Sequence, residues 1–314
     1  MSVLLANSIA LSGLSSTIDS LKKFESSIDS VEKGIRLVES DPEAGWVGFG
    51  GAPNMLGEVE LDAGIMDGKS LNAGAVGALK GYLHPISVAR MVMERTPHVL
   101  LVGDGASRFA RDCGAETGDN LTEKSRKDWM DWLEKNMTLE EKAKWPDTNL
   151  LRLGMVTADP STAKGTTVFL ASDNNNNICA ASSTSGWSYK LPGRIGDSCI
   201  IGSGCYADNR YGAVACTGMG ELTSRINAAR RVILYLKNGL SLEDACRETI
   251  NDLRGLCKLL YGGISIYAID NKSNKCMVSV KAKGANLPDC DPFCWYWDSE
   301  SDSLGKIESI METW

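Results

Sequence analysis

The chain has few of the residues from which hydrolases usually build a catalytic base. Its 314 residues include two histidines, His84 and His98, and each lies beside a proline where a helix or a strand should begin. A serine or cysteine nucleophile paired with histidine would need one of the two, but no nucleophile motif lies near either. Their separation of 14 residues does not fit the helical spacing of a two-histidine metal site. We therefore expect both histidines to be structural.

A threonine offers a route to hydrolysis that needs no histidine. At a chain N-terminus its α-amine, with an unperturbed pKa of about 8, can deprotonate its own hydroxyl. Such a residue has to be produced by cleavage within a precursor. The Gly165–Thr166 step leaves a polar stretch and enters an apolar β-type run, so it is a suitable place. Gly-Thr steps at strand starts are common, so the step alone favours an ordinary strand start.

The remaining motifs do not indicate a cofactor or a metal site. The pair Gly103 and Gly105 lacks the third glycine of a dinucleotide-binding loop, which favours a simple turn at a helix start. Ten cysteines are scattered from Cys113 to Cys294 without a C-x-x-C pair, which is typical of reduced, buried thiols. Cys290 and Cys294 have no second pair of ligands, so we do not expect zinc.

The composition is that of an acidic globular protein. Hydrophobic residues make up 43% and charged residues 23%, and the net charge is −7. This balance argues against nucleic acid as a partner, and no apolar run has the roughly 18 residues of a membrane span. The sequence MSVLLANSIALSGLSS has no basic residues before its apolar ones. We therefore expect no signal peptide and, for a full-length chain, a cytoplasmic location.

Helices and strands alternate along the chain, which favours a layered α/β fold. Residues 3–6 have the character of a strand, and six apolar residues between Leu21 and Val38 recur at steps of three and four, which predicts one helical stripe. Beyond them we expect a short apolar strand at 61–67, a helix at 85–94 and a buried strand at 99–102.

A polar stretch separates the two halves of the chain. Residues 118–165 start with the helical sequence TEKSRKDWMDWLEKN and end in the loop-like ADPSTAKG, so we expect an exposed linker. Residues 166–172 and 178–184 then predict a hairpin around Asp173 and four asparagines. The other expected elements are a strand at 213–217, two helices of which the second has a capping sequence at 241–244, and strands at 263–269 and 277–282.

Several longer motifs carry a family resemblance. Residues 166–221, which include GRIGDS and ACTGMGE, are similar to the start of the β subunit of glycosylasparaginases. These enzymes are N-terminal nucleophile hydrolases related to isoaspartyl peptidases and plant-type asparaginases. VGFGGAPNMLGEVELDAGIMDG at 47–68 and ISVARMVMERTPHVLLVGDGASRFA at 86–110 resemble the family's α subunit. The similarity runs over most of residues 29–110 and 166–282.

The resemblance implies a fold and a way of maturing. The fold is a four-layer αββα sandwich, made as one chain and forming one structural domain. Self-cleavage between Gly165 and Thr166 would give an α subunit of residues 1–165 and a β subunit of residues 166–314. Relatives pair such αβ units, so the resemblance also implies a homodimer.

The resemblance further assigns roles in hydrolysis. Thr166 would be the nucleophile and its freed amine the base, and Thr184 would support the nucleophile's hydroxyl. Thr217 and the Gly218 N–H match the oxyanion hole, where one lost donor typically costs about 10²–10³ in rate.

Two charged residues and a glycine would bind the substrate. Arg194 and Asp197 match the residues that hold the free α-carboxylate and the free α-amine of an aspartyl group, and Gly218 also contacts the substrate. The charge signs suit such a group, since guanidinium pairs with carboxylate in a forked bond and carboxylate pairs with ammonium.

Three positions depart from the family pattern. Lys164-Gly165 stands where glycosylasparaginases have His-Asp, although the isoaspartyl peptidase relatives cleave at Gly-Thr. Thr167 and Val168 follow the nucleophile where the family has a branched residue and then glycine, so Val168 is expected to crowd the site. Asn7 aligns with a tryptophan that lies close to the substrate in the family, so an aromatic contact should be lost.

Three functions follow from the resemblance and its departures. The first is hydrolysis of the amide bond between N-acetylglucosamine and asparagine in glycoasparagines. It is favoured by the segments VGFGGAPN, DWMDWLEKN and YKLPGRIGDS. The second is a β-aspartyl (isoaspartyl) peptidase or L-asparaginase of the same fold. The third, suggested by Lys164-Gly165, Val168 and Asn7, is an uncleaved, inactive relative that acts as a binding or scaffold protein.

Overall fold

Two β-sheets lie face to face in the computed structural model, which describes residues 1–157, 165–256, 262–281 and 290–313. The larger sheet has the strand order β12-β11-β1-β5-β6-β2-β3-β4 and the smaller one β13-β10-β9-β8-β7. The strands are β1 (Val3–Asn7), β2 (Leu61–Asp67), β3 (Ala73–Leu79), β4 (Leu100–Val102), β5 (Thr166–Ser172), β6 (Ile178–Thr184), β7 (Cys205–Asp208), β8 (Gly212–Gly218), β9 (Ile264–Asp270), β10 (Lys275–Val280), β11 (Phe293–Asp298), β12 (Gly305–Glu308) and β13 (Ile310–Glu312).

Helices cover the outer faces of both sheets, and further helices lie in the polar stretch before β5. They are α1 (Leu11–Lys22), α2 (Ser27–Ser40), α3 (Pro85–Arg95), α4 (Gly103–Asp112), α5 (Glu123–Asn136), α6 (Leu139–Lys144), α7 (Leu151–Val156), α8 (Gly220–Ile226), α9 (Ala228–Lys237) and α10 (Leu242–Leu253). Helices α1 to α4 pack on the larger sheet and α8 to α10 on the smaller one. The αββα architecture is therefore confirmed.

The strand pattern shows why the sheets stack. In β5, Phe169 and Ala171 face the α1 and α2 side, whereas Val168 and Leu170 face the smaller sheet. Both sets are fully buried, as expected for a central strand whose side chains alternate between two covered faces. Within the described residues, no helix combines the length and apolar character needed to cross a membrane.

The predicted helical stripe between Leu21 and Val38 is interrupted. The structure has two helices there, and the turn between them contains Phe24, which has a φ of 61° and is 73% exposed. Ser26 then caps α2 by accepting a hydrogen bond from the Asp29 N–H. The prediction of one stripe was wrong because a cap residue starts a new helix even where apolar spacing continues.

The predicted buried strand at 99–102 is a strand but is not buried. Among the described strands, β4 pairs with β3 alone, at the edge of the larger sheet, and Leu100 and Val102 are 37% and 49% exposed. Apolar runs predict burial only when both sides of a strand are covered.

The polar stretch before β5 is largely helical. Helices α5 and α6 have no buried residue, which agrees with the expected exposure, but Trp129 donates a hydrogen bond to the Met55 carbonyl at 3.0 Å. Residues 158–164 of the predicted linker lie outside the described part, as does Ala282 at the end of a predicted strand. The division into subunits stays a prediction. Strands β3, β7 and β11 to β13 and helices α6, α7 and α8 were not predicted, and neither was most of α1.

Close contact between α1 and α2 generates a stability prediction. A Cβ at Gly34 would overlap Thr17 Oγ1 and lie 2.8 Å from Phe169 of β5. We expect Gly34→Ala to lower the free energy of unfolding by about 1–3 kcal/mol through overpacking, measured by urea denaturation. Gly105→Ala is the control, because a Cβ at that helical position meets nothing within 4 Å and should be neutral or stabilising by up to about 1 kcal/mol. Equal effects of both substitutions would contradict this packing argument.

Candidate active site

A cavity of about 260 Å³ opens at one end of the two sheets. Every residue that the resemblance marked for catalysis, substrate binding or cleavage lies on its wall. These are Gly165, Thr166, Thr184, Arg194, Asp197, Thr217 and Gly218. Gly165 directly precedes β5, and the larger sheet supplies Thr166 and Thr184. The loop after β6 supplies Arg194 and Asp197 and β8 the last two, so the fold brings together residues up to 53 positions apart.

The β5–β6 hairpin places the two threonines. Thr166 and Thr184 are directly opposite each other in the antiparallel register, so their side chains lie on the same face of the sheet. The turn at the other end is fixed by Asp173, whose carboxylate accepts hydrogen bonds from the N–H groups of Asn175 and Asn177. The register is therefore determined locally, and it sets which residue faces Thr166.

The Thr184 hydroxyl has a defined direction. It accepts a hydrogen bond from the Gly186 N–H at 2.9 Å and donates one to the Gly165 carbonyl at 3.0 Å. That carbonyl directly precedes Thr166. Thr184 therefore provides a donor to the carbonyl that would be attacked if Thr166 cut its own peptide bond.

Gly165 has to be a glycine at this place. Its φ of 98° is in the region that favours glycine, and a Cβ there would overlap the Trp46 Cβ. Trp46 itself has a φ of 77°, and its carbonyl accepts hydrogen bonds from the N–H and the hydroxyl of Ser185. Two left-handed residues thus pack together beside the threonine pair.

The Arg194 guanidinium is held from two sides. Its Nε and Nη2 donate to one oxygen of Glu221 at 3.0 and 2.7 Å, and the group lies 4.7 Å from the centre of the Trp187 ring. The second Glu221 oxygen is buried without a hydrogen-bond partner among the described residues. Arg194 is therefore fixed in orientation at the cavity wall.

Asp197 is buried beside Arg194. Burial raises the pKa of Asp197 to about 6, although a hydrogen bond from the Thr223 hydroxyl at 2.6 Å and the charge of Arg194 favour its ionised form. The Asp197 carboxylate and the Arg194 guanidinium thus place groups of opposite charge side by side at the cavity wall.

Two buried carboxylates hold the loop that carries Arg194. Asp62 accepts hydrogen bonds from the Gly196 N–H and the Ala78 N–H, each at 2.8 Å. Glu60 accepts from the Gly193 N–H at 3.1 Å, and its carbonyl accepts from buried Lys190 at 3.0 Å. Both ends of the loop are thus tied to β2 and the residue before it.

Burial also lowers the pKa of Lys190. Sequence reasoning missed Glu60, Asp62 and Lys190 as parts of the site, because single charged residues in ELDAG and SYKLPG look like ordinary surface positions.

The last two predicted residues end β8. Gly218 has a φ of 102°, and a Cβ there would overlap the Gly263 carbonyl. The Thr217 hydroxyl lies 3.3 Å from the Tyr267 hydroxyl. Burial, with Asp291 nearby, raises the pKa of Tyr267, so the phenol stays protonated. Asp291 also lines the cavity, and sequence reasoning missed it because it lies beyond the family motifs.

Two of the expected departures act differently in the structure. Val168 is fully buried in the core between the sheets and does not line the cavity, so the expected crowding is not observed. Asn7 does line the cavity, but Trp46 and Trp187 line it as well. Aromatic surface is therefore available despite Asn7. The third departure, at Lys164, lies outside the described residues.

The two histidines do not contribute to the cavity. His84 lies at the start of α3, with Nδ1 3.4 Å from Glu39 and Nε2 3.4 Å from Glu116. His98 is exposed. Burial raises the pKa of Glu39. Neither imidazole is placed to act as a base for Thr166.

The layered fold and the threonine-lined cavity are those of an amidohydrolase. Residues 10–283 match the family described as asparaginase, and the chain belongs to that family. The resemblance inferred from the sequence motifs is thus confirmed.

Similar proteins carry two kinds of name. An N(4)-(β-N-acetylglucosaminyl)-L-asparaginase from Elizabethkingia miricola is 41% identical over 230 residues, which cover 73% of this chain and 62% of that protein. An isoaspartyl peptidase/L-asparaginase from Bos taurus is 41% identical over 295 residues, which cover 93% and 85%. A plant-type L-asparaginase from Pyrococcus abyssi is 40% identical over 226 residues, which cover 72% and 71%. The chain spans less than two thirds of the first of these relatives.

Proposed function

We propose that this asparaginase-family protein cleaves itself before Thr166 and then hydrolyses the amide bond between N-acetylglucosamine and asparagine in glycoasparagines. The observation that carries this proposal is the arrangement of Thr166 opposite Thr184, with the preceding carbonyl hydrogen-bonded, in a cavity that also holds Arg194 and Asp197. No single residue of this set would be enough to support the proposal, since each of these residue types also has ordinary structural roles in proteins.

Self-cleavage would begin with attack of the Thr166 hydroxyl on the Gly165 carbonyl carbon. The Gly165–Thr166 C–N bond breaks, the acyl group moves to the hydroxyl oxygen as an ester, and the nitrogen takes up the hydroxyl proton to become an amine. Water then hydrolyses the ester, which restores the hydroxyl and leaves a carboxylate on Gly165. The Thr184 hydroxyl, which donates a hydrogen bond to this carbonyl oxygen, would stabilise the negative charge that develops there.

The same threonine would then act on substrate. Its free amine takes the hydroxyl proton while the oxygen attacks the side-chain amide of the asparaginyl group. The Thr217 hydroxyl and the Gly218 N–H are the proposed donors to the oxyanion. The leaving amine takes the proton, and water hydrolyses the aspartyl ester to release aspartate. The products from a glycoasparagine are aspartate and a glycosylamine.

The charges of the cavity support an aspartyl head group. Arg194 would bind the α-carboxylate and Asp197 the α-ammonium, so the substrate needs both groups free. The aromatic wall supports a sugar as leaving group, because the apolar face of a pyranose ring can pack on the indoles of Trp46 and Trp187. The pairing of αβ units into a homodimer stays a proposal from the resemblance.

A β-aspartyl peptidase or L-asparaginase is the second candidate. It shares the head group and the chemistry and differs only in the leaving group. The observation that favours it is the relative from Bos taurus, whose alignment covers 93% of this chain.

Self-cleavage is tested by intact mass. We expect the purified protein to give two fragments, the second beginning at Thr166, and Thr166→Ala to remain a single chain of about the full 33.8 kDa. Gly165→Ala should slow cleavage by at least about tenfold, since its Cβ would overlap Trp46 and displace the carbonyl. Gly81→Ala is the control, because it also has a positive φ, 81°, but no atom within 4 Å of the added Cβ. A wild-type protein that stays a single chain for days would favour the scaffold hypothesis.

Leaving-group preference is tested with a glycoasparagine and a β-aspartyl dipeptide. We expect the glycoasparagine to have the higher kcat/KM. Trp187→Ala should lower kcat/KM for both substrates, because the ring also supports Arg194. It should also lower the ratio of the glycoasparagine kcat/KM to the dipeptide kcat/KM by about threefold to tenfold, because packing against the sugar is lost. Trp132→Ala, which removes a ring stacked on Tyr189 at 4.8 Å outside the cavity, is the control. A higher value for the dipeptide would make the second candidate the better one.

The pKa of Asp197 predicts a pH dependence. The amine of Thr166 has to be neutral to act as a base, so kcat/KM should fall tenfold per pH unit below the pKa of that amine. Asp197 has to be ionised to bind the α-ammonium, and its pKa of about 6 should double the slope of log kcat/KM below about pH 6. Asp197→Asn should lower kcat/KM and return the slope to one. A slope of two that persists in this variant would rule out Asp197 as its origin.

A further inference from the structure

The first residues of strand β5, from Thr166 to Val168, are not paired with the main chain of β1. Strand β1 pairs with β5 from Val3 opposite Ser172 to Ala6 opposite Phe169. The β1 chain then turns away into a 3₁₀ turn at Ser8–Ala10. A continued β1 would have offered a carbonyl to the Val168 N–H and an N–H to the Thr166 carbonyl.

The Asn7 side chain supplies both of these missing partners. Its Oδ1 accepts a hydrogen bond from the Val168 N–H at 3.1 Å, and its Nδ2 donates to the Thr166 carbonyl at 2.7 Å. A primary carboxamide has the same carbonyl and N–H as a peptide group. The side chain is 1% exposed, so the hydrogen bonds are shielded from competing water. Asn7 thus extends the β1–β5 ladder as far as Thr166.

Asp291 also accepts a hydrogen bond from the Asn7 carboxamide. The second Nδ2 proton points to an Asp291 oxygen at 3.3 Å. Ser8 donates to the other oxygen at 2.6 Å, and the Tyr267 hydroxyl also donates to this carboxylate. The Val168 N–H can only donate and the Thr166 carbonyl can only accept, so the oxygen of Asn7 has to face Val168 and its nitrogen has to face Thr166 and Asp291.

The network reaches from one sheet to the other. Tyr267 lies in β9 of the smaller sheet and is 3.3 Å from the Thr217 hydroxyl. Asn7 lies in β1 of the larger sheet. One continuous chain of hydrogen bonds through Asn7, Asp291 and Tyr267 therefore links Thr166 to Thr217.

We propose that Asn7 is a positioning residue that holds Thr166 in place for catalysis by completing the β1–β5 ladder, an inference that rests on the proposed role of Thr166 as nucleophile. Cleavage makes Thr166 a chain terminus and removes its covalent tether to Gly165. Chain termini fray unless they are tied down. The bond from Asn7 to the Thr166 carbonyl is then the hydrogen bond from β1 that lies closest to the reacting hydroxyl and amine.

The test is Asn7→Asp, which keeps the shape and the acceptor for Val168 but removes the donor to Thr166. It also places a second carboxylate against Asp291. Activity is measured per cleaved chain, counted by intact mass, on the glycoasparagine or the β-aspartyl dipeptide, whichever the wild type hydrolyses faster. We expect kcat to fall about 10²-fold, the effect of a displacement near 1 Å, with KM within about threefold. A residue with only a structural role would lower the amount of folded protein without this split between kcat and KM.

Asn120→Asp is the matched control. Asn120 is equally buried, at 2% exposure, and donates to the Tyr82 carbonyl at 2.9 Å away from the cavity. Its substitution carries a similar cost of burying a carboxylate, and we expect kcat to stay within about twofold of the wild type.

Thr166→Ala separates the two proposals. If Thr166→Ala abolishes hydrolysis while Asn7→Asp keeps kcat within threefold of the wild type, the positioning role is wrong and the proposed function stands. If Thr166→Ala retains wild-type hydrolysis, Thr166 is not the nucleophile and both proposals are overturned.

Discussion

The pairing of β5 with β6 is the constraint on which the site depends. It places Thr166 opposite Thr184 and brings the Gly165 carbonyl within hydrogen-bonding distance of the Thr184 hydroxyl. Strand β5 is held between β1 and β6 in the middle of the larger sheet, with Phe169 packed among the outer helices and Leu170 in the core between the sheets. Since both faces are covered, a shift by one residue would exchange the two sets of side chains and remove Thr166 from the cavity.

Buried charge is the second organising feature. Arg194 and Asp197 lie at the cavity wall, and Glu221 pairs with Arg194. Glu60 and Asp62 hydrogen-bond the loop that carries Arg194 and Asp197, and Lys190 of the same loop donates to the Glu60 carbonyl. Burial disfavours the charged forms, which is why the pKa of Asp197 is raised and that of Lys190 is lowered. Main-chain N–H groups of Gly193 and Gly196 offset part of this cost by donating to the carboxylates. The same hydrogen bonds fix the loop, so the groups that are costly to bury also orient the proposed head-group site.

Much of the fold could be predicted from local patterns. The strand at 61–67 has the predicted bounds, the hairpin at 166–184 has the predicted strands, and the helix at 85–94 extends by one residue to Arg95. Predictions failed where an apolar pattern continued through a cap, as at Phe24, or where a strand lay at an uncovered edge, as at Val102. Strand β3, AGAVGAL, was missed because small residues and glycines give little strand signal, although the strand is largely buried between β2 and β4.

The sequence by itself determined the family and predicted which residues form the site, because both depend on residue types at fixed spacing. GRIGDS and the Gly165–Thr166 step single out Arg194, Asp197 and Thr166 as candidates without any coordinates. Only the tertiary structure decided what surrounds them. Asn7, interpreted from sequence as a lost aromatic contact, has its carboxamide hydrogen-bonded to β5 and to Asp291. These partners are more than 150 residues away along the chain. Hydrogen bonds across such separations depend on how strands from both halves pack, and local sequence patterns carry no record of that packing.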